Sequence, residues 1–263
     1  AARSLEAASS TPAGGPGASN SRSSRRPCPE AVRPAGGPRY DRFAGRYRVG
    51  DPYDILTCII RAMSGDARQY APATARNREP ILAVLRRTLP VRGLVLELSS
   101  GSGEHAVFFA ANLPSLTWQP SDPDPAARAS IAAWSAAKKL ANVLPPLDID
   151  VRSPAWPASA ADAVVCINMI HIAPWSATLA LFAGARRVLP PSGVLYLYGP
   201  FRRNGRHTAP SNEAFDASLR ARDAEWSVRD LEAVAAVAAE QGFGSPAITA
   251  MPANNLSVRF TVI

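Results

Sequence analysis

Leu94-Val-Leu-Glu-Leu-Ser-Ser-Gly-Ser-Gly-Glu-His-Ala106 is the stretch on which the fold turns. Leu94 to Leu98 is a short apolar run opened by Gly93 and ended by Ser-Ser-Gly-Ser-Gly, which reads as a strand running into a glycine-rich turn. Glu104 to Ala111 (EHAVFFAA) then resumes as a helix. Glu97 ends the strand, and Gly101 and Gly103 follow it. Glycines there let the backbone approach a ligand without a Cβ, and the next helix offers its N-terminus.

The same alternation extends in both directions. Upstream, Asn77 to Leu89 places Ile81, Leu82, Leu85 and Leu89 on one helical face. Downstream, the pattern predicts strands at Leu116–Gln119, Leu147–Val151, Ala163–Ile167 and Val194–Tyr198. Helices are predicted over Pro125–Leu140, capped by Asp124, over Ala177–Val188 and over Val228–Gln241. Two closing strands, Ala247–Met251 and Leu256–Val262, are separated by PANN and suggest an antiparallel edge. The expected class is therefore α/β, an open and mostly parallel sheet with helices on both faces and an antiparallel C-terminal edge strand.

Composition narrows the classes further. With 263 residues, 47% hydrophobic and 19% charged, the chain can bury one sizeable core. Cys28, Cys58 and Cys166 form no CxxC pair, so neither a disulfide framework nor a zinc finger is expected. No apolar run approaches the roughly 18 residues of a membrane span. The net charge of +8 invites a nucleic-acid reading, but it is unevenly spread. Residues 1–62 carry 10 Arg against 5 acids, whereas residues 63–263 carry 19 basic against 16 acidic side chains. A mixed-sign domain with so small an excess gives no electrostatic footprint for nucleic acid. Residues 1–50, rich in Ala, Ser, Gly, Pro and Arg, lack apolar periodicity and are expected to be disordered. The domain division is accordingly a basic leader over 1–62 and one domain over 63–263, with Met63 as a candidate start. A cytoplasmic location is expected, or an organellar one if the Arg- and Ser-rich leader is a transit peptide.

Asp122 closes the second strand 21 residues beyond Gly101, where a carboxylate can take both hydroxyls of a ribose. Two cofactors fit. Gly101-Ser-Gly103-Glu-His-Ala106 matches the dinucleotide fingerprint, whereas Glu97 inside the strand end suits an ammonium group such as that of a methionine moiety. E-x-x-x-G-x-G at the first strand, the acid after the second, Asp150 after the third, the Asp162-led fourth strand and LPPSG before the fifth resemble class I S-adenosylmethionine-dependent methyltransferases. More narrowly, residues 63–263 are similar to the methyltransferase-like protein 26 family (domain of unknown function 938). The matching segments are ARNREPIL, ELSSGSGEHA, WQPSDPD, CINMIHIAPW, LYGPF, SNEAFDASLRARDAEW and MPANN. The resemblance implies a Rossmann-like fold, S-adenosylmethionine as cofactor and in-line methyl transfer. Glu97 would face the methionine end, Ser99, Gly101 and Gly103 would wrap the cofactor, and Asp122 would hold the ribose. Asp150 and Val151 would border the adenine, and Asn168 and Met169 would lie near the methyl group. Ser99 departs from the generic motif, which has glycine there.

His171, just past the fourth strand at the carboxyl edge of the sheet, is the candidate base, the alternative being a histidine packed under the next helix. Tyr198 is a second candidate if the nucleophile must shed a proton. The segment from Tyr198 to Trp226 reads as a substrate lid, with Arg202 and Arg206 placed to attract an anionic acceptor and Asn212 within it. Arg76 and Asn77 would close over the cofactor from the N-terminal side. Cys166, mid-strand, reads as core. No metal-ligand spacing is present, and the acceptor is expected to be a small molecule or a peptide. Two other readings stay open: a nicotinamide-dependent oxidoreductase, and a catalytically silent methyltransferase fold that binds a partner.

Overall fold

Eight strands form one sheet in the computed structural model, which describes residues 66–263. In chain order the elements are α1 (Pro72–Thr88), β1 (Gly93–Leu98), α2 (Glu104–Asn112), β2 (Leu116–Pro120), α3 (Pro125–Lys138), β3 (Ala163–Ile167) and α4 (Trp175–Val188). There follow β4 (Val194–Arg203), β5 (Arg206–His207), α5 (Pro210–Arg222), β6 (Arg229–Asp230), α6 (Leu231–Glu240), β7 (Ala247–Met251) and β8 (Asn255–Thr261). The main order is β2-β1-β3-β4-β8-β7, with β5 and β6 pairing the far end of β4. Pairs among β2, β1, β3 and β4 are parallel, and β8 is antiparallel to both β4 and β7. The sheet is thus mostly parallel with an antiparallel C-terminal edge, as the sequence pattern predicts. The boundary expected at residues 62/63, and the leader before it, lie outside the described residues.

Each face carries its own core. On one, Leu96, Val164, Leu195, Leu197 and Phe260 pack against Leu181 and Phe182 of α4 and Val234 of α6. On the other, Val95, Val165, Tyr196 and Tyr198 meet Ile81 and Leu85 of α1 and Phe109 of α2. Every residue of β3 is buried, which is why its sequence, AVVCI, shows no alternation. Cys166 belongs to that core, and burial, reinforced by the charge of Glu97, pushes its thiol up to about 12. The Asp124 cap is present, its side chain accepting from the Ala126 N–H.

Three expectations are corrected. Leu147–Val151 is not a strand: the segment from Asn142 runs beside β2, and Leu147 makes only an isolated bridge to Ser121. Leu144 N donates to Trp118 O (2.9 Å) and Leu147 N to Pro120 O (3.0 Å), but Pro145 and Pro146 between them have no N–H to extend a ladder. The expected lid over Tyr198–Trp226 is largely regular structure, with β4 running on to Arg203, a tight return in β5, and then α5. Finally, the C-terminal helix begins at Leu231 rather than Val228, because Arg229 and Asp230 pair in parallel with Phe201 and Arg202 of β4.

Candidate functional site

At the carboxyl ends of β1 and β2 the glycine turn folds back on the second strand. Ser100 N donates to Ser121 O (2.8 Å), and the Ser121 hydroxyl donates to Glu97 O (2.8 Å). Gly101 N donates to Asp122 Oδ2 (2.9 Å) while Asp124 N donates to Oδ1 (3.0 Å). Asp122 is therefore held by both oxygens. Burial raises its pKa, and these two N–H donors oppose the shift.

The two glycines differ in what they make room for. Gly103, with φ +85°, packs on α3 so closely that a Cβ would lie 2.7 Å from Ile131 Cα. Gly101 has φ +55°, and a Cβ there would meet nothing within 4 Å. The first glycine thus fronts open space and the second serves packing. Ser99 shares the left-handed conformation, at φ +54°.

Glu97 is 2% exposed on the α1 and α2 side of the sheet, and its Oε2 accepts from Trp118 Nε1 at 2.7 Å. Burial raises its pKa to about 7, although the bonds from Trp118 and Ser100 pull the other way. With a value near neutrality, the carboxyl is readily driven to its charged form by a cation or donor that comes to it. Asp150 is further out and already engaged: Arg152 Nη2 donates to it at 2.7 Å and holds its pKa down. Its neighbour Val151 is buried in the core beneath.

At the end of β3, Asn168 turns the chain with φ +62°, and its N–H donates to Tyr198 O (2.8 Å). Met169 and His171 follow in a single buried turn. His171 is 1% exposed, accepts the Arg229 N–H on Nδ1 (3.2 Å), and leaves Nε2 buried without a partner among the described residues. Burial pushes its pKa down to about 3, with the Arg229 charge adding to the shift. A Cβ on Gly199 would lie 2.4 Å from Nε2, so the ring fills the space beside β4 instead of reaching solvent. That is the packed alternative for this residue.

Tyr198 is 4% exposed, and burial raises its pKa, with the Asn77 side chain pulling the other way. Asn77 Oδ1 lies 2.8 Å from His105 Nε2, and burial holds His105 at about 4, so the neutral ring donates. One residue of α1 thereby ties that helix to α2. Sequence reading placed Asn77 near the cofactor but had no signal for the link, because its two members come from separate elements.

The lid candidates separate. Asn212 is 4% exposed, and its Nδ2 donates to Thr208 Oγ1 and Asn254 O (3.0 Å each), pinning α5 to the turn before β8. Arg202 is partly buried at the base of the β4–β5 hairpin, and Arg206 is exposed on its return strand. Arg229, which sequence reading missed, is 8% exposed and donates to the carbonyls of Ile170, Ala173 and Glu225. It fixes the turn that carries His171.

Ahead of α1, Gln69 N donates to Ser130 Oγ (2.6 Å), Trp134 Nε1 donates to Gln69 O (2.9 Å), and Ala71 N donates to the Glu104 carboxylate. Ser130 Oγ in turn donates to Ser102 O of the glycine turn (2.7 Å), so this strap and the turn share one anchor. Among the described residues there is no cluster of metal-ligating side chains and no helix long and apolar enough to cross a membrane. A cavity of about 430 Å³ lies at the opposite, amino end of the sheet, against Leu94, Asp162 and Pro190.

A family model described as a protein of unknown function (DUF938) matches residues 68–262. Among solved structures, the chain is similar to the S-adenosylmethionine-dependent methyltransferase SibL in its apo form, with 21% identity, a TM-score of 0.61, and coverage of 72% of this chain and 55% of that one. It is similar to an O-methyltransferase family protein from Burkholderia thailandensis, at 18% identity and TM-score 0.63, over 72% of this chain and 57% of that one. It is also similar to human N-acetylserotonin methyltransferase in complex with S-adenosylmethionine, at 14% and 0.60, over 72% and 52%. The chain thus spans little more than half the length of these proteins. The likeness shows the fold, which is the Rossmann-like class I methyltransferase fold.

Proposed function

This chain belongs to the DUF938 family of proteins of unknown function, and from that premise we propose that it is an S-adenosylmethionine-dependent methyltransferase, in the methyltransferase-like protein 26 group. The observation that carries the reading is the Gly101–Asp122 junction. A turn without a Cβ fronts open space, and its N–H holds a buried carboxylate at the end of the neighbouring strand. The residues fit the cofactor on that ground: Gly101 and Gly103 with Ser99 as the cradle, Asp122 toward the ribose, Glu97 toward the ammonium of the methionine end. Asp150, Val151, Asn168 and Met169 complete the rim. The dinucleotide reading fits less well. The Glu104 carboxylate occupies the first turn of α2, where a pyrophosphate would have to sit, and like charges there repel.

When bound, the cofactor would supply an electrophilic methyl on a sulfonium. The protein's own task is then to hold a nucleophile in line with that methyl and keep water out. Tyr198 suits the first part. Its raised pKa keeps the phenol protonated at neutral pH, so it orients an acceptor by donating a hydrogen bond. His171, neutral and buried, supports the turn at Asn168 and is not a source of base catalysis in this reading. A small molecule or peptide with a free lone pair would need no base at all. Arg202 and Arg206, on the hairpin beyond Tyr198, would draw an anionic acceptor.

Thermal unfolding of the full chain tests the cofactor. S-adenosylmethionine at 100 times its dissociation constant adds about 2.7 kcal/mol, or roughly 5–10 °C for a domain of this size. The expected result is a rise with S-adenosylmethionine, none with NAD, and loss of the rise in Asp122→Ala. A rise with NAD alone would overturn the reading in favour of an oxidoreductase, and no rise with either would leave the silent binding fold.

A further inference from the structure

At the far side of the sheet from the glycine turn, α1 leaves a groove of about 230 Å³ over β8 and β7. The strand register fills its floor. Tyr196 of β4 pairs with Arg259 of β8, which pairs with Ala247 of β7; Tyr198 likewise pairs with Ser257, and Ser257 with Thr249. Directly paired residues share a face, and Tyr196 and Tyr198 belong to the core under α1, so Arg259, Ser257 and Thr249 point toward that helix. Arg87 and Thr88, in the last turn of α1, form the opposite wall.

The chemistry of this lining is one-sided. It holds two guanidinium groups and no carboxylate. Neither the Arg87 nor the Arg259 side chain has a hydrogen-bond or ion-pair partner among the described residues, and Arg259 Nε is buried without an acceptor. A buried N–H left unpaired is costly, and guanidinium groups suit planar or tetrahedral oxyanions. The hydroxyls add donors. Tyr196 and Ser257 lie 2.5 Å apart on the floor, and since only one proton is used between them, the other remains to be given. The groove is smaller than the roughly 300–1,000 Å³ of sites that enclose whole drug-sized ligands, so it suits a compact head group.

We propose that this groove between α1 and the β7–β8 hairpin binds a small oxyanion-bearing ligand, with its carboxylate or phosphate group held between Arg87 and Arg259. The site lies on β8 and β7, whereas the glycine turn follows β1, so the inference does not depend on the cofactor reading.

Calorimetric titration of the full chain with inorganic phosphate and, separately, with acetate tests it, with sodium chloride at matched ionic strength as the reference. The expected result is saturable binding of one of the two anions, weakened at least tenfold in R259Q and in R87Q and unchanged in R92Q. Stronger binding of phosphate assigns a phosphate-bearing ligand, and stronger binding of acetate a carboxylate-bearing one. Should R259Q not fold, R87Q, altered at an exposed position, gives the same reading. Binding no stronger than that of chloride, or binding by R87Q equal to that of the unaltered chain, would overturn the proposal. Because neither arm contains S-adenosylmethionine, failure here leaves the proposed methyltransferase activity standing, and the reverse also holds.

Discussion

Glu97 has lost nearly all contact with water yet keeps one strong donor in Trp118. Its pKa of about 7, against 4.5 for the free group, means that the folded state binds the proton more tightly than the unfolded chain does. The stabilisation from this group is complete below about pH 4.5 and is lost as pH rises through 7, amounting to about 3 kcal/mol at 1.36 kcal/mol per unit. His105 and His171 act with the opposite sign. Their lowered values, about 4 and about 3, cost stability as pH falls below 6.5. Glu97→Gln leaves both histidines in place, so the difference between variant and parent isolates the carboxyl. Urea titrations at pH 5 and pH 8 should show the variant gaining about 2–3 kcal/mol on the parent between the two conditions. A second residue-scale expectation concerns Ser99. A side chain at φ +54° costs about 1–2 kcal/mol, and its hydroxyl has no hydrogen bond among the described residues to offset it. Ser99→Gly should raise the unfolding free energy by about 1 kcal/mol, read from the same titrations.

Within the glycine turn, the two glycines of the motif answer to different elements and should fail differently. In Gly103→Ala the new methyl meets the backbone of α3 at Ile131, so stability should fall by about 3 kcal/mol whether or not a ligand is present. In Gly101→Ala the methyl enters open space, so only the backbone strain of about 1–2 kcal/mol applies. That variant should remain folded and lose the thermal shift with S-adenosylmethionine. Elements of this kind were legible beforehand because their signals are local: an unalternating run for β3, Asp124-Pro125 for the start of α3, glycines after β1. What escaped was set by partners distant in sequence. Leu147–Val151 has strand-like composition, but the ladder with β2 is interrupted at Pro145 and Pro146 just before it, and only Leu147 reaches a partner strand end, at Ser121. Arg229 and Asp230 look like the start of a helix until β4, extended past Tyr198, offers them a strand to pair with. His171 follows β3 as a catalytic group would, and only the Gly199 backbone and the Arg229 N–H show that its ring is enclosed. The Asn77–His105 link had no local signature at all.

At the scale of the molecule, the apolar residues of both cores begin at Ile81 and run to Val262, which matches the span of the family model. We propose that residues 63–263 hold the folding information. Deleting residues 1–62 should shift the unfolding midpoint by less than about 2 °C, the change expected from roughly half a kcal/mol in a domain of this size, as checked by calorimetry. The two borders of the sheet are unequal. Along β2, the Asn142–Leu147 segment already occupies the hydrogen-bonding positions, and its prolines present no donors outward. Along β7, the uncharged sequence Ala-Ile-Thr-Ala-Met has no strand partner on its outer side among the described residues, with Ile248 40% exposed. Strand-to-strand stacking of copies requires two open borders to propagate, and among the described residues this sheet has one. Aggregation by that route would therefore close on itself at a pair of molecules, so that the dipeptide Pro145-Pro146 acts as a terminator against fibre growth.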